Sequence, residues 1–551
     1  MRPLGPAPGR IPRICAALSV LAAFGSGCLP RTDASVVDDA APVVPRNGGS
    51  FHMMIERPGT FDPSIVDDVY EACIVNQLYD GLLEFDVHLN PVPAIAREWT
   101  VSRDGLEYTF LLRDDVRFHN GRRVTADDFV YSFTRIFRGD RQDFGISGTY
   151  LSKIDGVGDY VARRTSSIRG LKAVNDTTLV IRLEGPYASF LSALAMDQTK
   201  VVAREEIEGR GADYDRHPVG TGPFVWDHLD EDPRDPRIIL RANEDFRGGR
   251  PHLDEVVFHV PRDYSVDVAA QAACDGRVTM CDMPASWRGK FQGDPRFRIL
   301  RRPELSFSFI GFRVDRAPFQ DVRIRRAIAH AIDRERIAKI DPIGRIAAVG
   351  ILPPGMLAYS PESKTFAYDP AESERLLAEA GYPGGRGLPP ITYYQANRGE
   401  AGRAADRILQ ESLAAVGIDV RFRYVEWEEF STDIDAGRLP CVGLTWVADL
   451  PDPDSFLASL FFTHGAYNMF GYSNPVVDSL LVAGAQMRGS IDRAGVYRRA
   501  ERIIVEDVPV VPLYNAENTF AVRTNVRDLL ITPFGVGNLC MERIWLDSPA
   551  S

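Results

Sequence analysis

The sequence predicts a mixed α/β protein with layered sheets and more than one domain. Two observations support this prediction. Segments with strand-like and helix-like patterns alternate along the chain, and no segment repeats at a period of about 20–50 residues, as solenoids and propellers do. A chain of 551 residues is also long enough for about two to four domains with large cores. We therefore expect several packed sheets with helices between them.

The first clear strand and helix lie next to each other. Residues 106–118 alternate apolar and polar positions, which is typical of a half-buried strand. The segment 125–137 then begins with Thr125, a good helix N-cap, and Asp128 follows three residues later in a capping-box-like arrangement. The pair predicts a strand followed directly by a helix.

Later segments carry equally local signals. In 369–381, Asp369 is placed to cap a helix, proline occupies the first helical position and a glycine ends the segment. A helix is predicted over 403–417 and a strand directly after it. Residues 509–514 have the apolar composition of a buried strand. The segment 317–333 predicts an amphipathic helix with its arginines, Arg325 among them, in solvent.

The N-terminus has the pattern of an export signal. Arginines precede the apolar run 14–24, which is too short to span a bilayer as a helix, and small residues then lead to Cys28. This pattern resembles the lipobox of bacterial lipoproteins, in which the cysteine is lipidated. Gly25 stands where that motif usually has leucine, so an ordinary cleaved signal is the alternative. We expect a signal peptide at 1–28 and a flexible Pro/Asp/Ala-rich tether at 29–45.

Composition and motifs exclude several functions. The net charge of −12 argues against a nucleic-acid surface and mildly suits cationic or zwitterionic ligands. No nucleophile elbow, zinc-protease, phosphate-loop or paired-cysteine motif is present in the sequence, so we expect no enzyme, no metal and no cofactor. Export would permit a disulfide between Cys274 and Cys281, with free buried thiols as the competing interpretation.

Seven segments in order resemble one protein family. The chain is similar to the bacterial extracellular solute-binding proteins of the dipeptide, oligopeptide and nickel group, which deliver ligands to ABC importers. The segments, spread from about residue 50 to residue 515, are TFDPSIVDDVYEACIVNQLYDGLLEFD, YTFLLRDDVRFHNGRRVTADDFVYSF, HPVGTGPF, APFQDVRIRRAIAHAIDRERI, YDPAESERLLAEAGYP, YSNPVVDSLL and VPVVPLY. Each segment alone is weak evidence, but the ordered set is specific.

The resemblance implies a type II periplasmic-binding-protein-like fold of two lobes, with an additional α+β domain on the first lobe and three domains in all. We expect the ligand between the lobes, which close over it by hinge bending. The expected boundaries are 46–90, 197–300 and 510–551 for the first lobe, 91–196 for the additional domain and 301–509 for the second lobe.

The resemblance also assigns candidate ligand residues. At 444–457, LTWVADLPDPDSFL, the family segment W-x-x-D places the carboxylate that pairs with a peptide α-ammonium at Asp449. Asp452 and Asp454 are expected to cap or turn the next helix. The other candidates are Trp446 and Trp427 as pocket indoles, Val447 and Val69 as backbone partners for an extended peptide, Tyr150 from the additional domain, and Arg398, with Arg403 as alternative, as the carboxylate anchor.

The N-terminal pattern and the family resemblance together imply a lipid-anchored peptide receptor in the periplasm or at the cell surface, with an ABC permease as partner, and we expect it to be a monomer. The same fold could instead bind a nickel chelate, haem, an oligosaccharide or an opine, because a fold does not determine its ligand. A chaperone-like lipoprotein without ligand is a rival interpretation from another class of protein, and a hydrolase is a more distant one. An ammonium-bearing ligand is favoured because a sugar receptor has no need of the Asp449 charge.

Overall fold

The structure is a computed structural model that describes residues 44–138, 144–363, 366–396, 400–465 and 467–547. The predicted signal peptide with Cys28, most of the predicted tether and Arg398 lie outside the described residues. The described strands are β1 (Ser50–Met54), β2 (Leu83–Phe85), β3 (Pro91–Pro93), β4 (Ala96–Val101), β5 (Glu107–Leu112), β6 (Leu171–Asn175), β7 (Thr178–Arg182), β8 (Phe224–Asp230), β9 (Arg237–Ala242), β10 (Glu255–His259), β11 (Met280–Asp282), β12 (Phe297–Pro303), β13 (Ser306–Phe312), β14 (Arg345–Ala347), β15 (Ile391–Ala396), β16 (Val420–Val425), β17 (Cys441–Val447), β18 (Val510–Arg523), β19 (Val526–Arg527) and β20 (Trp545–Leu546).

Helices alternate with these strands, as the sequence predicts. The described α-helices are α1 (Val69–Leu78), α2 (Ala126–Ile136), α3 (Gly145–Leu151), α4 (Val157–Val161), α5 (Phe190–Ala193), α6 (Arg204–Arg210), α7 (Val266–Cys274), α8 (Arg288–Gln292), α9 (Val322–Ala331), α10 (Arg334–Ala338), α11 (Pro370–Glu379), α12 (Glu400–Ala415), α13 (Trp427–Asp435), α14 (Leu457–Phe461), α15 (Pro475–Gln486) and α16 (Ser490–Asp507). Within the described ranges, no helix combines the length and the apolar character needed to span a membrane.

The first sheet module is built around β1. Strand β1 pairs in parallel with β10 and β11, and the antiparallel strands β9 and β8 extend the sheet beyond β10. On the other side, β11 and β12 both pair with the second half of β18. A core that includes Phe51, Phe224, Phe258 and Tyr79 lies between this sheet and its helices.

The second sheet module is formed by β13 to β17 and the first half of β18. Strand β15 pairs in parallel with β16 and β17, and β17 pairs antiparallel with β13. Strand β13 then pairs with β18, as does β14. Helices α9, α11 and α12 cover it with an apolar core that includes Phe312, Ile328 and Leu409.

The chain passes between the two modules in adjacent places. Strand β18 is continuous, but residues 510–516 pair with strands of the second module and residues 517–523 with strands of the first. The second passage is the short link from β12 to β13. We propose that the boundary between the lobes falls within β18, several residues after the position expected from the sequence.

An additional α+β module carries the antiparallel sheet β4-β5-β7-β6. Strand β5 alternates half-buried and buried side chains over Glu107–Leu112, and Phe110, Phe129 and Phe133 are fully buried in the core of the module. This apolar core continues into the second sheet module. The Ala188 N–H donates to the Ala485 carbonyl oxygen at 2.8 Å, so the additional module and the second module are in direct contact.

Local end signals predicted from the sequence are confirmed. Thr125 and Asp128 form a reciprocal capping box at the start of α2. Asp369 accepts a hydrogen bond from the Glu372 N–H at the start of α11, with proline at the first turn. In the GTGPF segment a Cβ atom on Gly220 would lie 1.9 Å from the Leu78 carbonyl oxygen, so the backbone approach there requires glycine.

Two details differ from expectation. Arg325 was expected in solvent, but its guanidinium is buried and donates to the backbone carbonyls of Phe319, Asp507 and Val508. The carbonyls satisfy the charged donors, which makes its burial possible. Cys274 and Cys281 do not form a disulfide. Both are free thiols, which was the competing interpretation, and both pack in or against an apolar cluster around α7 and β11.

Candidate functional site

A cavity of about 400 Å³ lies where the two sheet modules and the additional module meet. The start of α1 and the β11 and β18 strands contribute from the first module, and the turn after β17 contributes from the second. Ile146 of α3 reaches it from the additional module. The aromatic side chains Phe85, Phe520 and Phe534 supply much of its apolar wall. A ligand here would contact all three modules.

The turn after β17 places Asp449 at this cavity. Strand β17 ends at Val447, and the Ala448 N–H still donates to the Leu305 carbonyl at 2.8 Å. The Asp449 N–H then donates to Ser455 Oγ at 3.0 Å, which fixes the backbone of the turn. The side chain of Asp449 lines the cavity, and the neighbouring residues Val447 and Ala448 line it too.

The carboxylate of Asp449 is buried, and its one side-chain partner among the described residues is a tyrosine. Tyr150 Oη donates to Asp449 Oδ2 at 3.3 Å, across the contact between the additional module and the second module. Among the described residues, no lysine, arginine or histidine lies within 4 Å of this carboxylate. Burial raises the pKa of Asp449 to about 6, and the hydrogen bond from Tyr150 opposes this increase only in part. The Asp449 carboxylate is therefore desolvated, and no ion pair with a described residue compensates for its burial.

The neighbouring aspartates are used structurally. Asp452 accepts from the Asp454 N–H at 3.1 Å and caps a short 3₁₀ helix, and it also pairs with the buried Arg493 guanidinium at 2.9 Å. Tyr497 Oη donates to Asp454 Oδ1 at 2.6 Å. Both partners come from α16, so α16 supplies donors for these two aspartates, whereas the described part of the chain supplies no cation for Asp449.

The remaining sequence candidates are distributed unevenly. Val69 lines the cavity from the start of α1, and both Val69 and Val447 are exposed. Trp446 Nε1 donates to the Ser455 carbonyl at 2.7 Å, and its ring packs on Tyr467, so the indole supports the turn without lining the cavity. Trp427, which is 62% exposed at the start of α13, does not line it either.

Five further carboxylates line the same cavity and were not found from the sequence: Asp67, Asp68, Asp197, Asp282 and Glu304. Burial raises the pKa of Asp282 to about 6 and also raises the pKa values of Asp197 and Glu304. For two of these carboxylates, Asp282 and Glu304, the sequence contains a local signal that could have identified them. Asp282 is the last residue of β11 and Glu304 directly follows β12, so each is a carboxylate at a strand end close to a proline, as in the β17 turn.

Known proteins share this architecture. A family model described as the middle part of bacterial extracellular solute-binding proteins, family 5, matches residues 90–468. The Heme-binding protein A of Haemophilus influenzae is 29% identical over 503 residues, which cover 87% of this chain and 89% of that protein. The Dipeptide-binding protein of Escherichia coli is 29% identical over 502 residues, which cover 87% and 91%.

A solved structure extends the comparison to three dimensions. The ABC transporter-associated periplasmic binding protein DppA of Helicobacter pylori, in complex with the peptide STSA, aligns with a TM-score of 0.74 and 25% identity, over 91% of this chain and 99% of that chain. The fold is that of a type II periplasmic binding protein, which confirms the predicted fold class. The chain belongs to the bacterial extracellular solute-binding proteins, family 5, as the sequence motifs predicted.

Proposed function

We propose that this protein is the substrate-binding component of an ABC importer that captures peptides between its lobes and delivers them to a membrane permease. The observation that carries the proposal is the buried Asp449 carboxylate at the cavity, which has Tyr150 as a hydrogen-bond donor and no cation among the residues that the structure describes. A peptide α-ammonium supplies that cation through a charge-assisted hydrogen bond. Val69 and Val447, both exposed at the cavity, are our candidates for main-chain pairing with an extended peptide. Capture and handover involve no chemical step, so no catalytic role is assigned.

Peptides with free and blocked N-termini test this proposal. We expect di- to pentapeptides with a free α-ammonium to raise the melting temperature in a concentration-dependent way, because a ligand that binds only the native state stabilises it. The same peptides acetylated at the N-terminus should give at least a tenfold weaker dissociation constant by calorimetry, since they leave the Asp449 charge unpaired. Equal affinity for both forms would remove the assigned role of Asp449. No response to any peptide would refute the peptide receptor.

Haem is the second candidate, because one relative is named for haem binding. Haem carries two propionate groups, and the described residues that line the cavity include six carboxylates and no lysine, arginine or histidine. Like charges brought together in a partly buried site repel, so this lining disfavours haem. A haem titration followed by absorbance belongs in the same experiment, and a saturable spectral change that peptides do not abolish would favour haem.

We also propose that Cys28 is lipidated and holds a monomeric receptor on the periplasmic or cell-surface side of the membrane. The basic start, short apolar run and small residues before Cys28 support this proposal. Full-length protein expressed in a bacterium should partition into the detergent phase of Triton X-114, whereas Cys28→Ser should partition into the aqueous phase. Aqueous partitioning of both would indicate an ordinary cleaved signal instead.

A further inference from the structure

Leu450, the residue directly after Asp449, is almost completely buried although it lies in the turn after β17. It is only 1% exposed and packs in a small apolar cluster, the Leu450 cluster, whose other described members all belong to the additional module. These members are Tyr150, Ala193 and Met196, with Ile146 and Tyr187 packed against them. A turn of the second module is therefore held by a leucine that packs in the additional module.

The Leu450 cluster is separate from the main apolar cores. Leu450 belongs neither to the second-module core around Phe312 and Leu409 nor to the larger core that the additional and second modules share. Its side chain therefore contributes to the contact between two modules, not to the packing of its own sheet. Burial of apolar surface is favourable without any ligand, so this contact forms in the ligand-free protein.

Leu450 and Asp449 meet the same part of the additional module. Tyr150 belongs to the Leu450 cluster, and its Oη donates to Asp449 Oδ2 at 3.3 Å. On the second module, the Asp449 N–H donates to Ser455 Oγ at 3.0 Å. The turn is therefore fixed from two sides, by a hydrogen bond within its own module and by Leu450 in the additional module.

The Leu450 cluster also forms part of the cavity wall. Met196, a member of the cluster, and Ile146, which packs against it, both line the cavity together with Asp449. Leu450 itself is not one of the residues that line the cavity. Any effect of Leu450 on a ligand therefore has to pass through the residues that it holds in place.

We propose that Leu450 is a positioning residue for ligand capture, which holds the Asp449 carboxylate against Tyr150 at the cavity and keeps water away from it. The ligand in this inference rests on the proposed function, whereas the positioning is a property of the ligand-free protein. A carboxylate that water reaches pairs less strongly with an ammonium, because the ligand has to displace that water and the local dielectric constant is higher. Loss of the leucine should therefore weaken binding without removing any ligand contact.

The ligand-free protein tests the positioning by urea unfolding at pH 7.5. Burial raises the pKa of Asp449 to about 6, so Asp449→Asn should stabilise the native background. In a Leu450→Ala background water should reach the carboxylate, and most of that gain should disappear. The matched control is Leu377→Ala, because Leu377 is fully buried in the second-module core and does not line the cavity. In the Leu377→Ala background the full gain should remain, as it should in Leu450→Met, which keeps the apolar volume.

Peptide binding tests the consequence for capture. By calorimetry at pH 7.5, Leu450→Ala should bind a tripeptide with a free α-ammonium at least tenfold more weakly than the native protein, whereas Leu377→Ala and Leu450→Met should keep the native affinity. The pH at which affinity falls should move from about 6 in the native protein towards about 4 in Leu450→Ala. The other carboxylates at the cavity are the same in every variant, so they do not cause this difference: Asp67, Asp68, Asp197, Asp282 and Glu304.

The two measurements fail separately. An equal gain from Asp449→Asn in the native and Leu450→Ala backgrounds, or no gain in either, would overturn the inference whether or not peptides bind. Native affinity and native pH dependence in Leu450→Ala would also overturn it, with the peptide receptor intact. If the native protein binds no peptide, the peptide receptor is overturned and the urea comparison decides the inference. Melting curves check that each variant is folded, and Leu450→Val replaces Leu450→Ala if the alanine variant is not.

Discussion

Asp449→Asn is expected to weaken binding of peptides with a free N-terminus by at least tenfold and to stabilise the unliganded protein at neutral pH. Asparagine keeps the size of the side chain but cannot pair with an ammonium as an anion. In the native protein burial raises the pKa of Asp449 to about 6, whereas an aspartate in an unfolded chain titrates near 4. The buried carboxylate therefore favours binding and disfavours the empty folded state.

The sign of the pH dependence follows from this shift. The folded state holds the Asp449 proton more tightly than the unfolded state, so native stability decreases as pH rises from about 4 to about 6. At pH 7 the accumulated cost is about 1–3 kcal/mol. The variant lacks this titration, so its free energy of unfolding by urea should exceed that of the native protein at pH 7.5 and approach it at pH 4.5.

Ligand affinity should change with pH in the opposite sense. A bound ammonium requires ionised Asp449, so peptide affinity should fall roughly tenfold between pH 7 and pH 5 in the native protein, and less in Asp449→Asn. Tyr150 remains protonated over this range, because burial holds its pKa far above its usual value. Glu429 is exposed on α13, so Glu429→Gln serves as the control for the loss of one negative charge. Unchanged affinity in Asp449→Asn would refute the ammonium contact.

Arg493→Met is expected to lower the free energy of unfolding by about 3–5 kcal/mol, because it leaves a buried carboxylate without its cation. The Arg493 guanidinium contacts Asp452 at 2.9 Å, donates to the Gly484 carbonyl at 2.9 Å and also bonds Tyr497 Oη at 3.2 Å. It therefore connects α15 and α16 to the turn that carries Asp449. Peptide binding should weaken as that turn loses its fixed geometry.

A second substitution separates lost charge compensation from lost packing. In Arg493→Met/Asp452→Asn no ionised carboxylate remains opposite the methionine, so part of the lost stability should return. Arg499 is exposed on α16, so Arg499→Met serves as the control variant. The difference is measured by comparing the free energies of unfolding by urea of all three variants. A loss below about 1 kcal/mol for Arg493→Met would show that water reaches Asp452 and that the pair has the small value typical of exposed ion pairs.

Features that depend on neighbouring residues could be predicted from the sequence. The cap at Asp369 and the alternation in β5 are encoded within a few positions, and the structure confirms both. The two halves of β18 could not be assigned, because their pairing depends on strands about 200 residues away in the sequence. The prediction that Arg325 lies in solvent was wrong for the same reason. The Asp507 and Val508 carbonyls that accept its hydrogen bonds lie at the end of a helix far along the chain.

The site was only partly predictable for a related reason. A carboxylate after an apolar strand is a local signal, and it drew attention to Asp449. Whether such a carboxylate is neutralised depends on residues far along the chain, as Arg493 does for Asp452. Asp282 and Glu304 carry the same local signal, but the sequence does not show that they line the same cavity as Asp449, because the three lie on strands far apart along the chain.

The continuity of β18 has a mechanical consequence. A rotation that widens or narrows the crevice has to be absorbed by a few torsion angles where β18 and the short link beside it pass between the modules. Asn515 Nδ2 donates to the Ser306 carbonyl at 2.8 Å and ties these two passages together just there. The ligand-free and ligand-bound forms should therefore have the same secondary structure but a different relative orientation of the two modules. A permease that contacts both modules would distinguish the two forms by that orientation alone.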